Sequence, residues 1–165
     1  MTKGKPTFAH IGSVSEGTLR EENLISAFAD ELSYYLKRLR LSRDQRKRFA
    51  DLIRDASGQV EVLNSERDFD HDRDDAGELV DQLVDALNEI APPYCYFGAI
   101  EGDGADFGFW PHSEAMRYDL PRLTAGDDIT REYWGSDILL VNDHGNVSCG
   151  HVDRRGTFKA YWDCV

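Results

Sequence analysis

Residues 92–112 constrain the fold of this chain more than any other stretch. Two aromatic-rich segments, residues 94–100 and 106–110, flank a Gly-Asp-Gly tip, and this pattern predicts a β-hairpin. Gly98 and Gly108 interrupt the two segments, which indicates a bulge or the close approach of another group. The pattern before the hairpin is helical, and the pattern after it is typical of strands. We therefore expect an α+β fold in which an N-terminal helical layer packs on a mostly antiparallel C-terminal sheet.

The length of 165 residues predicts a single domain, with a helical part over residues 18–91 and a sheet part over residues 92–165. The three cysteines form an odd set, which argues against a secreted disulfide scaffold. The first residues lack the apolar run of a signal peptide, and the longest aliphatic run is too short to span a bilayer. We expect a cytoplasmic protein that does not contact membranes.

About three helices are expected in the first part of the chain. Thr18 with Glu21, and Ser42 with Gln45, have the spacing of capping boxes, which predicts where the first two helices begin. Gly58 is expected to end the second helix, and a proline pair to end the third. The helical period of the apolar residues places the three helices at residues 19–39, 43–56 and 76–91.

The last thirty residues predict an antiparallel meander. Its three strands are expected at residues 138–142, 147–152 and 157–164. If residues 143 and 146 pair across the first turn, Ile138 lies opposite His151; a second turn at residues 153–156 then places His151 opposite Phe158. This register gives the sheet one dry face and one wetter face.

The formal net charge of −12 bears most directly on function. A surface this acidic repels nucleic-acid phosphate and suits a protein that docks on a basic partner. The acidic stretch at residues 66–89 is the predicted interface, because a regular row of carboxylates on one helix face can imitate phosphates. The predicted partner-binding residues are Asp70, Asp72, Asp74, Asp75, Glu78, Asp81, Asp85 and Glu89.

Two further charged segments of the chain have their own interpretations. The carboxylates that start at Asp68 alternate as in a calcium loop, but the glycine and glutamate of that loop are missing in both registers, so we interpret the run as a solvated loop. The segment at residues 37–54 carries eight of the nineteen basic residues. It is either a helix face paired with the acidic stretch or a site for an anion, an acidic partner or RNA.

No catalytic, metal or cofactor site is predicted. Cys149 and His151 share a strand face, but they lack further zinc ligands and are interpreted as a core cysteine with a satisfied histidine. A ligand site remains possible at two loop tips, which carry Asp103 and Asp106 on one side and Asp143 and His144 on the other. His144 lies at an exposed turn, where positioned loop residues commonly function.

Three segments carry a resemblance to known proteins. Residues 12–20, 92–111 and 141–147 resemble small accessory proteins of uncharacterised function carried by bacteriophages and other mobile elements. The resemblance covers the two ends and the hairpin, whereas the middle helices diverge. It implies no catalytic residues, but it does imply a role in conflict between phage and host, where small acidic proteins inhibit enzymes that act on nucleic acid.

The sequence therefore favours a non-enzymatic, acidic interaction protein. Its expected partner is a host protein with a basic surface, and its expected role is anti-defence inhibition of the anti-CRISPR or anti-restriction type, by imitation of DNA. The alternative is a small enzyme or ligand-binding protein with a pocket between the loop tips at residues 101–106 and 143–146. The sequence does not specify an oligomeric state.

Overall fold

The computed structural model describes residues 6–65 and 70–164, and it leaves out the side chains of residues 70–74 and 115–117. The helices and strands, in chain order, are β1 (Gly12–Ser15), α1 (Glu21–Arg38), α2 (Arg43–Leu63), α3 (Asp70–Asn88), β2 (Cys95–Ile100), β3 (Asp103–Pro111), α4 (Ser113–Tyr118), β4 (Arg122–Thr124), β5 (Asp137–Val141), β6 (Val147–Val152) and β7 (Phe158–Cys164). The three long helices come first and most strands follow, so the α+β class is confirmed.

The contacts divide the chain into two compact units. The first contains the chain up to Ala91 together with Phe97–Trp110, and the second contains Pro92–Tyr96 together with the chain from Pro111 onward. The strands form two sheets, in the orders β1-β3-β2 and β4-β5-β6-β7. Strand β4 pairs parallel to β5, while β5, β6 and β7 pair antiparallel. The single-domain organisation remains a prediction.

The first unit has a core in which the aromatic hairpin packs on α1. The apolar stripe predicted for α1 is buried, and Phe28 at its centre is fully covered. The Phe28 ring meets Phe97 of β2 edge-on, with ring centroids 5.0 Å apart and an interplanar angle of 87°. Phe97 in turn contacts Phe109 of β3. The hairpin aromatics therefore supply the apolar face against which the helices fold.

The two predicted capping boxes have different outcomes. Ser42 caps α2 as predicted: its Oγ accepts from the Gln45 N–H at 3.1 Å, and its own N–H donates to Gln45 Oε1 at 3.1 Å. The box predicted at Thr18 is wrong, because α1 begins at Glu21 with Arg20 as its N-cap residue. The Thr18 hydroxyl instead accepts from the Arg20 N–H just before the helix.

Two helix bounds differ from the prediction. Helix α2 continues through Gly58 to Leu63, because Val60 and Leu63 pack against the core and outweigh the roughly 1 kcal/mol penalty of an internal glycine. Helix α3 begins at Asp70, so the loop predicted over its carboxylates is wrong from Asp70 onward. Negative charge near a helix N-terminus is stabilising, which is consistent with this earlier start.

The predicted register of the C-terminal meander is wrong by one residue. The Asn142 N–H donates to the Asn146 carbonyl at 3.0 Å, so the first turn is a three-residue loop that contains Gly145 at φ 87°. Leu139 therefore lies opposite Cys149, and Asp137 lies opposite His151. A slip of one residue exchanges the two faces of a strand. The register places a carboxylate beside His151, where the prediction placed Ile138.

Strand β7 contains a bulge that shapes the second unit. Cys149 pairs with Trp162, whereas the next residue, Gly150, pairs with Ala160, which leaves Tyr161 as the extra residue. A bulge of this kind redirects side chains locally. The core of this unit lies around Leu123, Ile138 and Val152. Ala160, which pairs with Gly150 beside the bulge, is exposed.

Candidate functional site

Asp137 is the centre of a cluster of polar side chains in the second unit. Its Oδ1 accepts from His151 Nδ1 at 2.7 Å and from the Tyr161 hydroxyl at 3.0 Å, and its Oδ2 accepts from the Tyr94 hydroxyl at 2.8 Å. The Asp137 side chain is 23% exposed, and that of His151 is 38% exposed. We refer to these four residues as the Asp137 cluster.

Local features of the fold bring the cluster together. The β5–β6 register places His151 beside Asp137, and the Tyr161 hydroxyl reaches the same carboxylate from the bulge in β7. Tyr94 has φ 64°, a left-handed conformation that side chains larger than glycine rarely adopt. Trp162 Nε1 donates to the Pro93 carbonyl at 2.8 Å and fixes the segment that carries Tyr94.

The cluster holds its carboxylate in the ionised state. Burial alone would raise the pKa of Asp137, but hydrogen bonds from His151, Tyr94 and Tyr161 outweigh it and place the pKa below the usual value. Burial, the hydrogen bond to Asp137 and its negative charge raise the pKa of Tyr161 to about 12. The same causes raise the pKa of Tyr94. Both tyrosines therefore remain neutral donors.

Cys149 is not an activated nucleophile. It is fully buried, and burial followed by the charge of Asp137 raises the pKa of its thiol to about 12. Since the thiolate is the reactive form, this environment makes Cys149 inert. Among the described residues, no group of three or more His, Cys, Asp or Glu side chains is arranged to hold a metal ion. The interpretation of Cys149 as a core residue is consistent with this burial.

An open cleft of about 620 Å³ lies beside the Asp137 cluster. All four cluster residues line it, together with Asp119 and Ser136. This volume falls within the roughly 300–1,000 Å³ typical of small-molecule sites. The cleft therefore combines a suitable size with converging polar groups.

Acid should weaken the fold through Asp137. Its pKa is lower in the folded than in the unfolded chain, so its contribution to stability is complete above the unfolded value of 3.8 and declines as the pH falls through the folded pKa. We expect the free energy of unfolding to decrease below about pH 4, with a shallower slope in Asp137→Asn. Urea unfolding at several pH values measures this slope. Asp128→Asn, at an exposed position, is the control; an equal slope in all three proteins would contradict the assignment.

The predicted acidic surface is present on the described part of α3. Of the predicted residues, Asp75, Glu78, Asp81, Asp85 and Glu89 are exposed. Asp70, Asp72 and Asp74 belong to α3, but their side chains lie outside the described part. Asp85 and Glu89 line a groove of about 380 Å³ together with Asp51 and Asp55 of α2. We refer to these four residues and Arg48 as the α2–α3 groove.

Several side chains of the basic segment are engaged within the first unit. Arg48 pairs with Glu89 across the α2–α3 groove. Arg46 donates to the Leu36 and Leu39 carbonyls at 2.8 and 3.0 Å, which satisfies the C-terminal end of α1. Arg54 pairs with Asp51 at 3.0 Å. These contacts favour the interpretation of this segment as a paired helix face over an RNA-binding one.

The two loop tips of the predicted ligand site belong to different compact units. Asp103 accepts from the Ala105 N–H at 3.0 Å, and Asp106 accepts from the Ser13 hydroxyl at 2.6 Å. Asp143 and His144 are exposed in the β5–β6 loop, whose shape the Asn142 side chain fixes. Both carboxylates of the first tip thus have partners within their own unit. A shared site remains a prediction.

Comparison with protein-family models, with curated proteins and with solved structures finds no match. Among the described residues, the helices are too short or too polar to cross a bilayer. Candidate functions for this chain therefore rest on its own geometry.

Of the Asp137 cluster, the sequence singled out His151 alone, as a satisfied histidine, and the other three residues were not predicted. Asp137 was placed outside the predicted strand, and the slipped register put Ile138 opposite His151 instead. Tyr94 and Tyr161 lie 43 and 24 positions from Asp137 in the chain, so no local pattern links them. A signal for the register did exist: both loops read Asx-x-x-Gly, as Asn142–Gly145 and Asp153–Gly156.

Proposed function

We propose that this chain is a non-enzymatic interaction domain that binds a basic protein surface through the α2–α3 groove and the outer face of α3. The observation that carries the proposal is that two helices direct carboxylates into one open groove, from Asp51 and Asp55 on α2 and from Asp85 and Glu89 on α3. Glu78 and Asp81 extend the negative surface along α3.

Charge balance within the groove supports this proposal. Arg48 is paired with Glu89, and Arg54 lies beside Asp51 and Asp55, but Asp85, Asp81 and Glu78 lie exposed on α3. The surface is therefore negative after its internal pairs are formed. With a net charge of −12, the whole chain attracts a basic partner over long range and accelerates their encounter.

The partner class that best fits this surface is an enzyme or protein that binds nucleic acid. Such proteins carry basic surfaces for phosphate, and a row of carboxylates on a helix occupies them in place of DNA or RNA. Within this class, the proposed target is a host defence nuclease of the restriction or RNA-guided type. We propose inhibition by occupation of its nucleic-acid surface in the cytoplasm.

Reversal of charge on α3 should abolish this interaction. The triple variant Glu78→Lys, Asp81→Lys, Asp85→Lys changes exposed side chains and leaves the Arg48–Glu89 pair intact. We expect the wild-type chain to displace labelled duplex DNA from at least one nuclease in a panel of restriction and RNA-guided enzymes. The triple variant should be weaker by about 100-fold or more, since each reversed pair removes an attraction and adds a repulsion. Fluorescence anisotropy measures the displacement.

A matched variant separates the local surface from total charge. Asp128→Lys, Asp143→Lys, Asp163→Lys makes the same change in net charge at exposed positions of the second unit. We expect it to retain most of the displacement activity at about 150 mM salt, where the Debye length is roughly 8 Å. An equal loss of displacement activity in both variants would show that net charge, and not the α3 surface, causes the effect. If the wild-type chain displaces DNA from none of the enzymes tested, the proposed partner class is rejected.

A further inference from the structure

We propose that the cleft beside the Asp137 cluster binds a small organic cation, an ammonium group carried on an apolar body. This site lies within the second unit and shares no residue with the α2–α3 groove. The inference is therefore independent of the proposed interaction with a basic protein. It rests on the hydrogen-bonding capacity that the cluster leaves unused, on the sign of the charges around the cleft, and on the apolar part of its lining.

The Asp137 cluster leaves acceptors rather than donors available to a ligand. A carboxylate has about four acceptor positions, and three of those on Asp137 are filled, two on Oδ1 and one on Oδ2. Among the described side chains, none fills the remaining position on Oδ2. Because the carboxylate can only accept, Nδ1 of His151 carries the hydrogen in the neutral ring, which leaves Nε2 as an acceptor. The hydroxyl hydrogens of Tyr94 and Tyr161 are already donated to Asp137.

The charges on the described side chains of the cleft are negative. Asp119 lines it as an exposed carboxylate, Asp137 is held ionised, and none of the described side chains that line it is a lysine or an arginine. Lys159 lies opposite His151 in the sheet, but its ammonium group pairs with Asp153 at 3.1 Å. An anionic ligand would meet repulsion here, whereas a cation gains from both carboxylates.

The remaining walls suit the body of such a ligand. Leu120 and Pro121 line the cleft with the rings of Tyr94 and Tyr161. Tyrosine rings attract cations through their faces, with about 0.5–2 kcal/mol per contact. Tyr94 also has a left-handed backbone, at φ 64°. Conformations of this kind are held by the surrounding structure and cluster at ligand sites.

Three small probes that differ mainly in charge test the proposal. Phenethylammonium, 2-phenylethanol and phenylacetate are titrated into the full chain, with amide chemical shifts recorded by NMR. We expect phenethylammonium to shift the resonances of Tyr94, Asp137, His151 and Tyr161 with a millimolar or lower Kd. The alcohol should bind at least about tenfold more weakly, equivalent to about 1.4 kcal/mol, and phenylacetate should not bind.

Asp119→Asn then tests the electrostatic argument without disturbing the Asp137 cluster. The exposed position of Asp119 makes the variant compatible with folding. We expect it to weaken phenethylammonium several-fold and to leave the alcohol unchanged, while Asp128→Asn, an exposed acidic site away from the cleft lining, changes neither. Absence of shifts at the cleft, equal binding of cation and anion, or an unchanged cation affinity in Asp119→Asn would each overturn the proposal.

Discussion

Gly108→Ala is expected to destabilise the first unit by about 3 kcal/mol or more, although it adds a single methyl group. A Cβ at this position would lie 2.2 Å from the Gly12 carbonyl oxygen and 2.8 Å from Cζ2 of Trp110. The first of these atoms belongs to the backbone of β1, which pairs with β3 across Ser13 and Gly108. Because the strand itself must move, the β1–β3 pairing is lost rather than adjusted.

The matched control, Gly58→Ala, should change the stability in the opposite direction. Gly58 lies inside α2, where a Cβ meets nothing within 4 Å, so Gly58→Ala should stabilise the chain by about 0.5–1 kcal/mol. Urea unfolding followed by circular dichroism gives both values under the same conditions. The free energies of unfolding of the two variants would then differ by about 4 kcal/mol. Because both changes add one methyl group, the difference comes from the surroundings of each glycine. A Gly108→Ala protein as stable as the wild type would contradict the close β1–β3 approach.

The same contrast between local and tertiary effects explains which helices the sequence predicted well. The apolar stripe of α1 has a clear helical period, and Phe28 and Leu32 at its centre are fully buried. The predicted end of α2 depended on a weak local preference at Gly58, and the packing of Val60 and Leu63 overrides that preference. Local propensity is a weak prior of this kind, and helix ends are where it fails first.

The hairpin before the C-terminal sheet shows what a glycine in a strand can predict. The interruption at Gly108 indicated either a bulge or a close approach, and Gly12 does approach it closely. No local signal indicated that β1 would be the approaching strand, because Gly12 and Phe109 pair across almost a hundred positions. Long-range pairing of this type leaves no local pattern.

The register error in the meander had a specific chemical cause. Counting the loops as two-residue turns ignored the first residue of each, Asn142 and Asp153. Each side chain accepts two backbone N–H groups, at the second and fourth residues that follow it. Asn and Asp side chains stabilise turns in this way, and a glycine with positive φ completes a three-residue loop. Reading both loops by this rule places Asp137 opposite His151.

The bulge at Tyr161 would still have escaped sequence reasoning. It depends on Gly150, where a Cβ would lie 2.4 Å from the Lys159 carbonyl oxygen, so β6 and β7 approach too closely there for a side chain. Contacts of this kind follow from the assembled sheet. For the candidate site, the β5–β6 pairing is therefore predictable from the Asx-x-x-Gly pattern of the loop. The β6–β7 pairing, with its bulge at Tyr161, is not.

Trp162→Ala is expected to have the largest effect in the second unit, a loss of about 3–5 kcal/mol. The indole is only 5% exposed, and its Nε1 donates to the Pro93 carbonyl at 2.8 Å. The substitution therefore removes a large buried ring and releases the segment that carries Tyr94. We expect the hydrogen bond from Tyr94 to Asp137 to be lost with it. Urea unfolding by circular dichroism measures the stability, and amide hydrogen exchange at residues 94–96 measures the release.

Two further variants separate the ring from its hydrogen bond. Trp162→Phe keeps most of the buried area and removes the N–H donor, so it should cost about 0.5–1.5 kcal/mol while still speeding hydrogen exchange at residues 94–96. Trp134→Ala is the matched control, because Trp134 is 38% exposed and its removal should cost about 1 kcal/mol or less. Equal losses at the two tryptophans, or unchanged exchange in Trp162→Ala, would show that Trp162 does not fix this segment. If Trp162→Phe by itself releases residues 94–96, the hydrogen bond from Nε1 to the Pro93 carbonyl holds this segment in place. The same hydrogen bond then also holds the left-handed backbone of Tyr94, which shapes the cleft.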